Sequence, residues 1–129
     1  MTTTPSALRL GYMCLFVEDF EKAAHFYEHV LQLPVKERTE DFLGFDAGAC
    51  VLGLEPRGKG SNEEKSRAQN PYVVQFSLES RAEFTAWGER LREQNVRILL
   101  ANEELTFGTL TAFLDPEGNR LELLLAPGR

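Results

Sequence analysis

The chain has 129 residues, 43% of them hydrophobic and 26% charged, the composition of one globular domain rather than of a disordered or fibrous chain. A net charge of −6 with no basic stripe argues against nucleic acid as a partner. No apolar run reaches the roughly 18 residues that a membrane span needs. The opening MTTTPSALRL lacks a basic start followed by a long apolar core, so no secretory signal is read there and the expected location is the cytoplasm. In that reducing setting Cys14 and Cys50 are expected as buried thiols, not a disulfide.

Leu8–Val17 reads as a strand with Met13, Leu15 and Val17 on one face and Tyr12, Cys14 and Phe16 on the other. Both faces are largely apolar, so both are expected to be covered, one by a helix and one as a cavity wall. Asp19 can cap a helix, because its carboxylate can accept the free amides of a first turn. Phe20, Ala23, Ala24, Tyr27, Val30 and Leu31 then recur at helical spacing, and Pro34 ends the run near Leu33. His25 and His29 lie four apart but lack the Glu that follows the first His in the zinc-protease motif, so a surface role is expected. Three strands follow, at Val35–Thr39, Phe42–Ala47 and Cys50–Glu55.

Residues 56–70, PRGKGSNEEKSRAQN, have no periodicity and read as a linker; GKGS there does not meet the P-loop pattern. Tyr72–Leu78 is the next strand. Ser80 and Glu83 form a capping box for a helix carrying Phe84, Trp87 and Leu91, with Asn95 as its left-handed end. Val96–Leu100 is read as a strand, Ala101–Gly108 as a loop, and Thr109–Leu114 and Arg120–Leu125 as strands joined by DPEGN.

Each half therefore reads strand, helix, strand, strand, strand. The helix caps Asp19 and Ser80 are 61 residues apart. That offset carries Met13, Leu15 and Val17 onto Val74, Phe76 and Leu78, all apolar, and Tyr12, Cys14 and Phe16 onto Val73, Gln75 and Ser77. One face is held apolar, as under a helix, and the other varies, as in a cavity wall. The expected fold class is α+β: one domain over residues 1–129, with a βαβββ module at about 8–55, the linker, and a second at about 71–126. The modules are expected to bury their remaining faces toward each other as a curved mixed sheet around a cavity.

Two βαβββ modules, the segment VEDFEKAAHFYEHVLQLP and the closing FLDPEGNRLELL resemble the vicinal oxygen chelate superfamily of glyoxalases, extradiol dioxygenases and fosfomycin and bleomycin resistance proteins. The resemblance spans roughly residues 8–126. One departure is Gln32, where the family commonly has Gly. The resemblance implies metal-ligand positions at Tyr12, Val73, Glu122 and, on the fourth strand, near Leu52 or Gly53. Of these only Glu122 matches the family's ligand type. Val73 cannot coordinate, a neutral phenol at Tyr12 is a poor ligand, and a metal of this kind normally needs three or more protein donors. Cys14, on the face of Tyr12, could in principle bind a soft metal, but a small buried hydrophobe is the simpler reading.

Glu122 then has two readings: a residue paired to a neighbour such as Tyr12, Gln75 or a basic side chain, or a ligand-facing group for a cation, its pKa raised if it stands alone in an apolar cup. The expectation is a metal-free protein without cofactor that binds a small aromatic or cationic organic ligand in a cavity lined by Tyr12, Cys14, Phe16, Gln75, Ser77 and Glu122, with Phe45 and Arg120 as further candidates. Rival readings are a metal-dependent lyase or dioxygenase using Glu122, and an interaction module with a vestigial pocket. Members of the superfamily often pair, so a homodimer is expected.

Overall fold

The computed structural model describes residues 11–56 and 72–128. The first module runs β1 (Tyr12–Val17), α1 (Phe20–His25) continued by a wider π-helical turn (Phe26–Val30), β2 (Val35–Arg38), β3 (Leu43–Asp46) and β4 (Val51–Pro56). The second runs β5 (Val74–Leu78), α2 (Arg81–Glu93), β6 (Ile98–Leu105), β7 (Gly108–Leu114) and β8 (Arg120–Leu125). Each module makes one four-stranded sheet, in the orders β1-β4-β3-β2 and β5-β8-β7-β6. In both, the first and last strands pair parallel and the remaining pairs are antiparallel. The repeat read in the sequence is thus a repeat of topology. Residues 8–10 of the expected first strand and most of the expected linker, including GKGS, lie outside the described residues. No helix among those described is long and apolar enough to cross a membrane.

The helices start where their caps predict. Asp19 accepts from the amide of Lys22 at 3.0 Å, and Ser80 from that of Glu83 at 3.0 Å. The first helix departs from simple α geometry after His25. The π turn lets the adjacent Phe26 and Tyr27 both be buried, their rings meeting edge to face at 5.3 Å. It ends on Gln32, whose φ is +58°, and α2 is followed by Asn95, also at +58°.

One core joins the two modules. It takes Leu15, Val17, Phe45, Leu52 and Leu54 from the first sheet, Val74, Phe113, Leu121 and Leu125 from the second, and Phe26, Tyr27, Phe84 and Leu91 from the helices. The sheets therefore meet through their helix-covered faces. The α+β class of two βαβββ modules is as expected, and only the packing between them differs: the other faces are not buried against each other, and Tyr12 is 51% exposed and Val73 46%. The physical reason is volume. The helices supply aromatic side chains that fill the space between the sheets, leaving Tyr12, Val73 and Gln75 of the opposite faces to solvent while Gly53, Leu110 and Ala112 there are buried.

The expected loop at Ala101–Gly108 is also corrected, because β6 continues to Leu105 and turns tightly into β7. β6 is an edge strand exposed on most of its length, so its sequence (ILLANEEL) carries no burial pattern. Backbone pairing to β7, interrupted by register shifts, holds it.

The turn DPEGN locks the modules together. Asp115, buried, accepts at Oδ1 from the amides of Glu117 (2.9 Å) and Asn119 (2.8 Å). Its Oδ2 accepts from Asn119 Nδ2 at 2.8 Å and from the Tyr27 hydroxyl at 2.6 Å. The Glu117 carboxylate accepts from the amides of Glu18 (2.9 Å) and Asp19 (3.0 Å) at the start of α1. From the other side, Arg90 of α2 donates to the carbonyls of Val30 and His29, both at 2.8 Å.

Candidate functional site

Strand register sorts the candidate residues by face. On the first sheet Tyr12 stands beside Val51, Cys14 beside Gly53 and Phe16 beside Glu55. Gly53 is in turn opposite Gly44, and Glu37 of β2 lies on the same row. On the second sheet Gln75 stands beside Glu122 and Ser77 beside Leu124, with Ala112 and Leu110 next to them on β7. Tyr12, Cys14, Phe16, Gln75, Ser77, Arg120 and Glu122 thus fall on the faces away from the helices, as their alternation requires. Phe45 does not. It shares the face of Leu52 and Met13, is fully buried and packs against the Tyr27 ring at 6.1 Å. It is a core residue, and its removal from the candidate wall is a correction. The sequence signal was ambiguous because Phe45 lies in a strand apolar on both faces.

The two open faces differ in chemistry. On the first, the Phe42 ring lies across the glycines. A Cβ added at Gly53 would stand 2.7 Å from Phe42 Cε1 and 3.0 Å from the Cys14 sulfur. Tyr12 approaches the same ring at 6.3 Å and donates its hydroxyl to Glu37. That hydrogen bond, with lesser contributions from desolvation and from the charges of Glu37 and Cys14, holds the Tyr12 phenol above its ordinary range. Burial, and then the charge of Glu55, push the Cys14 thiol up as well. Both groups are therefore held in their neutral, weakly ligating forms. Phe42 and Glu37 were not singled out in the sequence; the Gly44 and Gly53 pair, two glycines in strands, was the available signal of a close approach.

On the second face Glu122 is not alone. Its Oε1 accepts from Gln75 Nε2 at 2.9 Å and its Oε2 from Arg120 Nε at 2.8 Å. The side chain of Glu122 is 14% exposed and that of Arg120 37%. The paired reading is the one the geometry supports, with Gln75 and Arg120 as partners; Tyr12 lies on the other module. Further along the same strands, Ser77, Leu78, Glu79, Phe107, Leu124, Ala126 and Pro127 line a cavity of about 150 Å³. A second, mostly apolar cavity of about 190 Å³ lies among Leu31, Leu33, Phe76, Ser77, Leu78, Trp87 and Leu123, sharing Ser77 and Leu78 with the first.

Register also fixes the fourth-strand position that the sequence left between Leu52 and Gly53. Gly53 pairs with Cys14 as Glu122 pairs with Gln75, and Cys14 and Gln75 are equivalent in the repeat. The four positions implied for a metal are Tyr12, Gly53, Val73 and Glu122, and they do not fit one. One has no side chain, one is aliphatic, one is a phenol engaged with Glu37, and the carboxylate is engaged with a guanidinium. Among the described residues no group of three or more His, Cys, Asp or Glu side chains is placed to hold a metal ion.

Two repeated βαβββ modules with open outer sheet faces define the class of fold. The sequence pattern of the Glyoxalase/Bleomycin resistance protein/Dioxygenase superfamily matches residues 9–123, and the chain belongs to that superfamily. Among solved structures it is similar to a lactoylglutathione lyase from Agrobacterium tumefaciens, at 18% identity and a TM-score of 0.72, covering 95% of this chain and 96% of that one. A glyoxalase/bleomycin resistance protein/dioxygenase from Nocardioides matches at 22% identity and a TM-score of 0.75, over 98% and 91% of the two chains. A glyoxalase-related enzyme from Fulvimarina pelagi matches at 16% and 0.76, over 94% and 90%. At these identities the likeness is one of fold.

Proposed function

We propose that this protein is a metal-free small-molecule-binding member of the superfamily, working in the cytoplasm and holding an aromatic organic compound on one of its outer sheet faces. The observation that carries the reading is the state of the four metal-ligand positions. Only Glu122 is of ligand type, and both its oxygens already accept hydrogen bonds from Gln75 and Arg120. A divalent ion there would have to displace Arg120 and would still lack the three or more protein donors such ions take.

The same pairing argues against Glu122 as a site for a cationic ligand, because both of its oxygens are already engaged within the protein. Exposed Tyr12 and Val35 on the first module leave apolar area that a second copy of the chain can cover, so the working form is a homodimer. One observation favours a vestigial pocket in half of the molecule: the Phe42 ring already fills the middle of the first face. The second face is therefore the binding face.

Elemental analysis of purified protein tests the metal-free reading; stoichiometric zinc, nickel, manganese or iron that is lost on Glu122→Ala would overturn it. Thermal-shift screening of aromatic compounds of all charge types tests binding, since a ligand for the native state raises its melting temperature. No stabilising compound in a broad panel would favour the vestigial reading for both faces. Light scattering on the eluted protein gives the oligomeric state.

A further inference from the structure

We propose that the second module's open face binds an elongated apolar acid, with its carboxylate held by Arg120 and its apolar body in the cavity beyond Leu124 and Ser77. The inference rests on the small-molecule-binding reading above and assigns the chemical class of the ligand.

A carboxylate on a sheet face suggests a cation as its ligand, but Glu122 and Arg120 form an ion pair that is neutral as a whole, and the unused polar groups of that pair are donors. Glu122 accepts once at each oxygen, from Gln75 and from Arg120 Nε. What these bonds leave available is the other end of the guanidinium. Arg120 carries five N–H donors in a planar fork, one of which is used at Nε. Among the described residues none accepts from its terminal nitrogens, and the side chain is 37% exposed. Glu122, fixed by Gln75, acts as the positioning residue that holds this fork in one orientation. A fork held in place matches the two oxygens of a carboxylate, and less rotamer freedom is lost on binding than for a loose arginine.

The surroundings set the rest of the ligand. Val73, two residues before Gln75 on the same strand face, is 46% exposed. Leu100, 38% exposed, continues the row of Glu122 beyond Ala112, which is buried, as is Leu110 beside Leu124. Leu124 lies two residues beyond Glu122, roughly 7 Å along the strand. There the cavity of about 150 Å³ opens among Ser77, Leu78, Glu79, Phe107, Leu124, Ala126 and Pro127. This is well below the roughly 300 Å³ and more of sites for drug-sized ligands, so it suits one ring or a short chain. Glu79 at its wall repels an acid group and sets the ligand's direction, carboxylate toward Arg120 and apolar end toward Phe107. The net charge of −6 opposes an anion at long range. That field is screened beyond about 8–10 Å at ordinary ionic strength, whereas contact with the guanidinium is not.

The test uses three probes of one shape on the full chain: 4-phenylbutyrate, its neutral amide 4-phenylbutyramide, and the cation 4-phenylbutylamine, by isothermal titration. The expected result is that the carboxylate binds at least tenfold more tightly than the amide and the amine. Arg120→Gln should remove that preference, and Arg120→Lys should retain part of it, with melting temperatures showing that both variants fold. Equal affinity for all three probes overturns the assignment of Arg120. Preference for the amine overturns the acid class while leaving small-molecule binding standing. Failure of all three at millimolar concentration overturns the inference, and the wider aromatic panel then decides separately whether any small molecule binds. The wild-type ranking needs no variant, so it stands even if a substitution at Arg120 disturbs folding.

Discussion

Gly53 and Glu122 are the same position in two copies of one module. Each lies on the last strand beside the residue, Cys14 or Gln75, that the repeat makes equivalent. In the second copy the position carries a carboxylate with two partners; in the first it is bare, and the Phe42 ring closes over it. Gly53→Ala should therefore destabilise by about 1–3 kcal/mol, the usual cost of overpacking. Urea denaturation checks this, and Phe42→Leu in the same chain should recover part of the loss. Additive effects of the two substitutions would show that the ring is not what excludes the side chain.

Tyr27 and Asp115 couple the modules through a buried 2.6 Å hydrogen bond. Tyr27→Phe should cost about 1–3 kcal/mol, since Asp115 keeps its three other donors but loses one inside the core. The pair also sets an alkaline limit. Burial, and then the Asp115 charge, push the Tyr27 phenol well above its ordinary value of 10.0. A proton held more tightly in the folded state contributes stability that is complete below the unfolded value of about 10 and is lost as pH rises through the folded one. Denaturation midpoints should fall from about pH 10 upward, more steeply in the wild type than in Tyr27→Phe. Parallel profiles would show that the decline comes from other groups.

Gln32 ends the first helix at φ +58°, a conformation that costs a side-chain-bearing residue roughly 1–2 kcal/mol and glycine little. Gln32→Gly should raise stability by about 0.5–1 kcal/mol, net of the extra freedom it gives the unfolded chain. An unchanged or lowered melting temperature would mean that the Gln32 side chain offsets its own strain.

The Cys14 thiol, raised by burial and by Glu55, should react slowly with iodoacetamide. In a Cys50→Ser background its rate should reach half-maximum at a higher pH than that of free cysteine. A profile at or below that of free cysteine would mean that the thiol is better solvated than the sheet face implies.

Much of the fold was legible because it is written in local chemistry. Asp19 and Ser80 cap the helices, Asn95 takes the left-handed end, and the alternation of β1 and β5 gives the correct faces. The 61-residue offset between the caps shows the repeat in the sequence itself. The site was less legible. Alternation placed Glu122, Gln75 and Arg120 on one kind of face, but nothing in their spacing revealed that the three are bonded to one another. The face of Phe45 is not legible, because a strand apolar on both faces carries no sign of which one meets the helix. β6 was cut short because an exposed edge strand is held by backbone pairing, to which side-chain patterns are blind. The packing of helix faces between the sheets was missed because it depends on where Phe26 and Tyr27 point after the π turn, a departure from α geometry with no local signature.

The Glu117 carboxylate has a consequence for how the molecule is made. It serves the amides of Glu18 and Asp19, nearly a hundred residues earlier in the chain. During synthesis the first helix therefore emerges long before the group that completes its start, and Tyr27 waits nearly as long for Asp115. The first module can form its strands as it leaves the ribosome, but its helix is not finally seated until the last hairpin closes. The order of synthesis and the order of completion run in opposite directions, and DPEGN is where they meet.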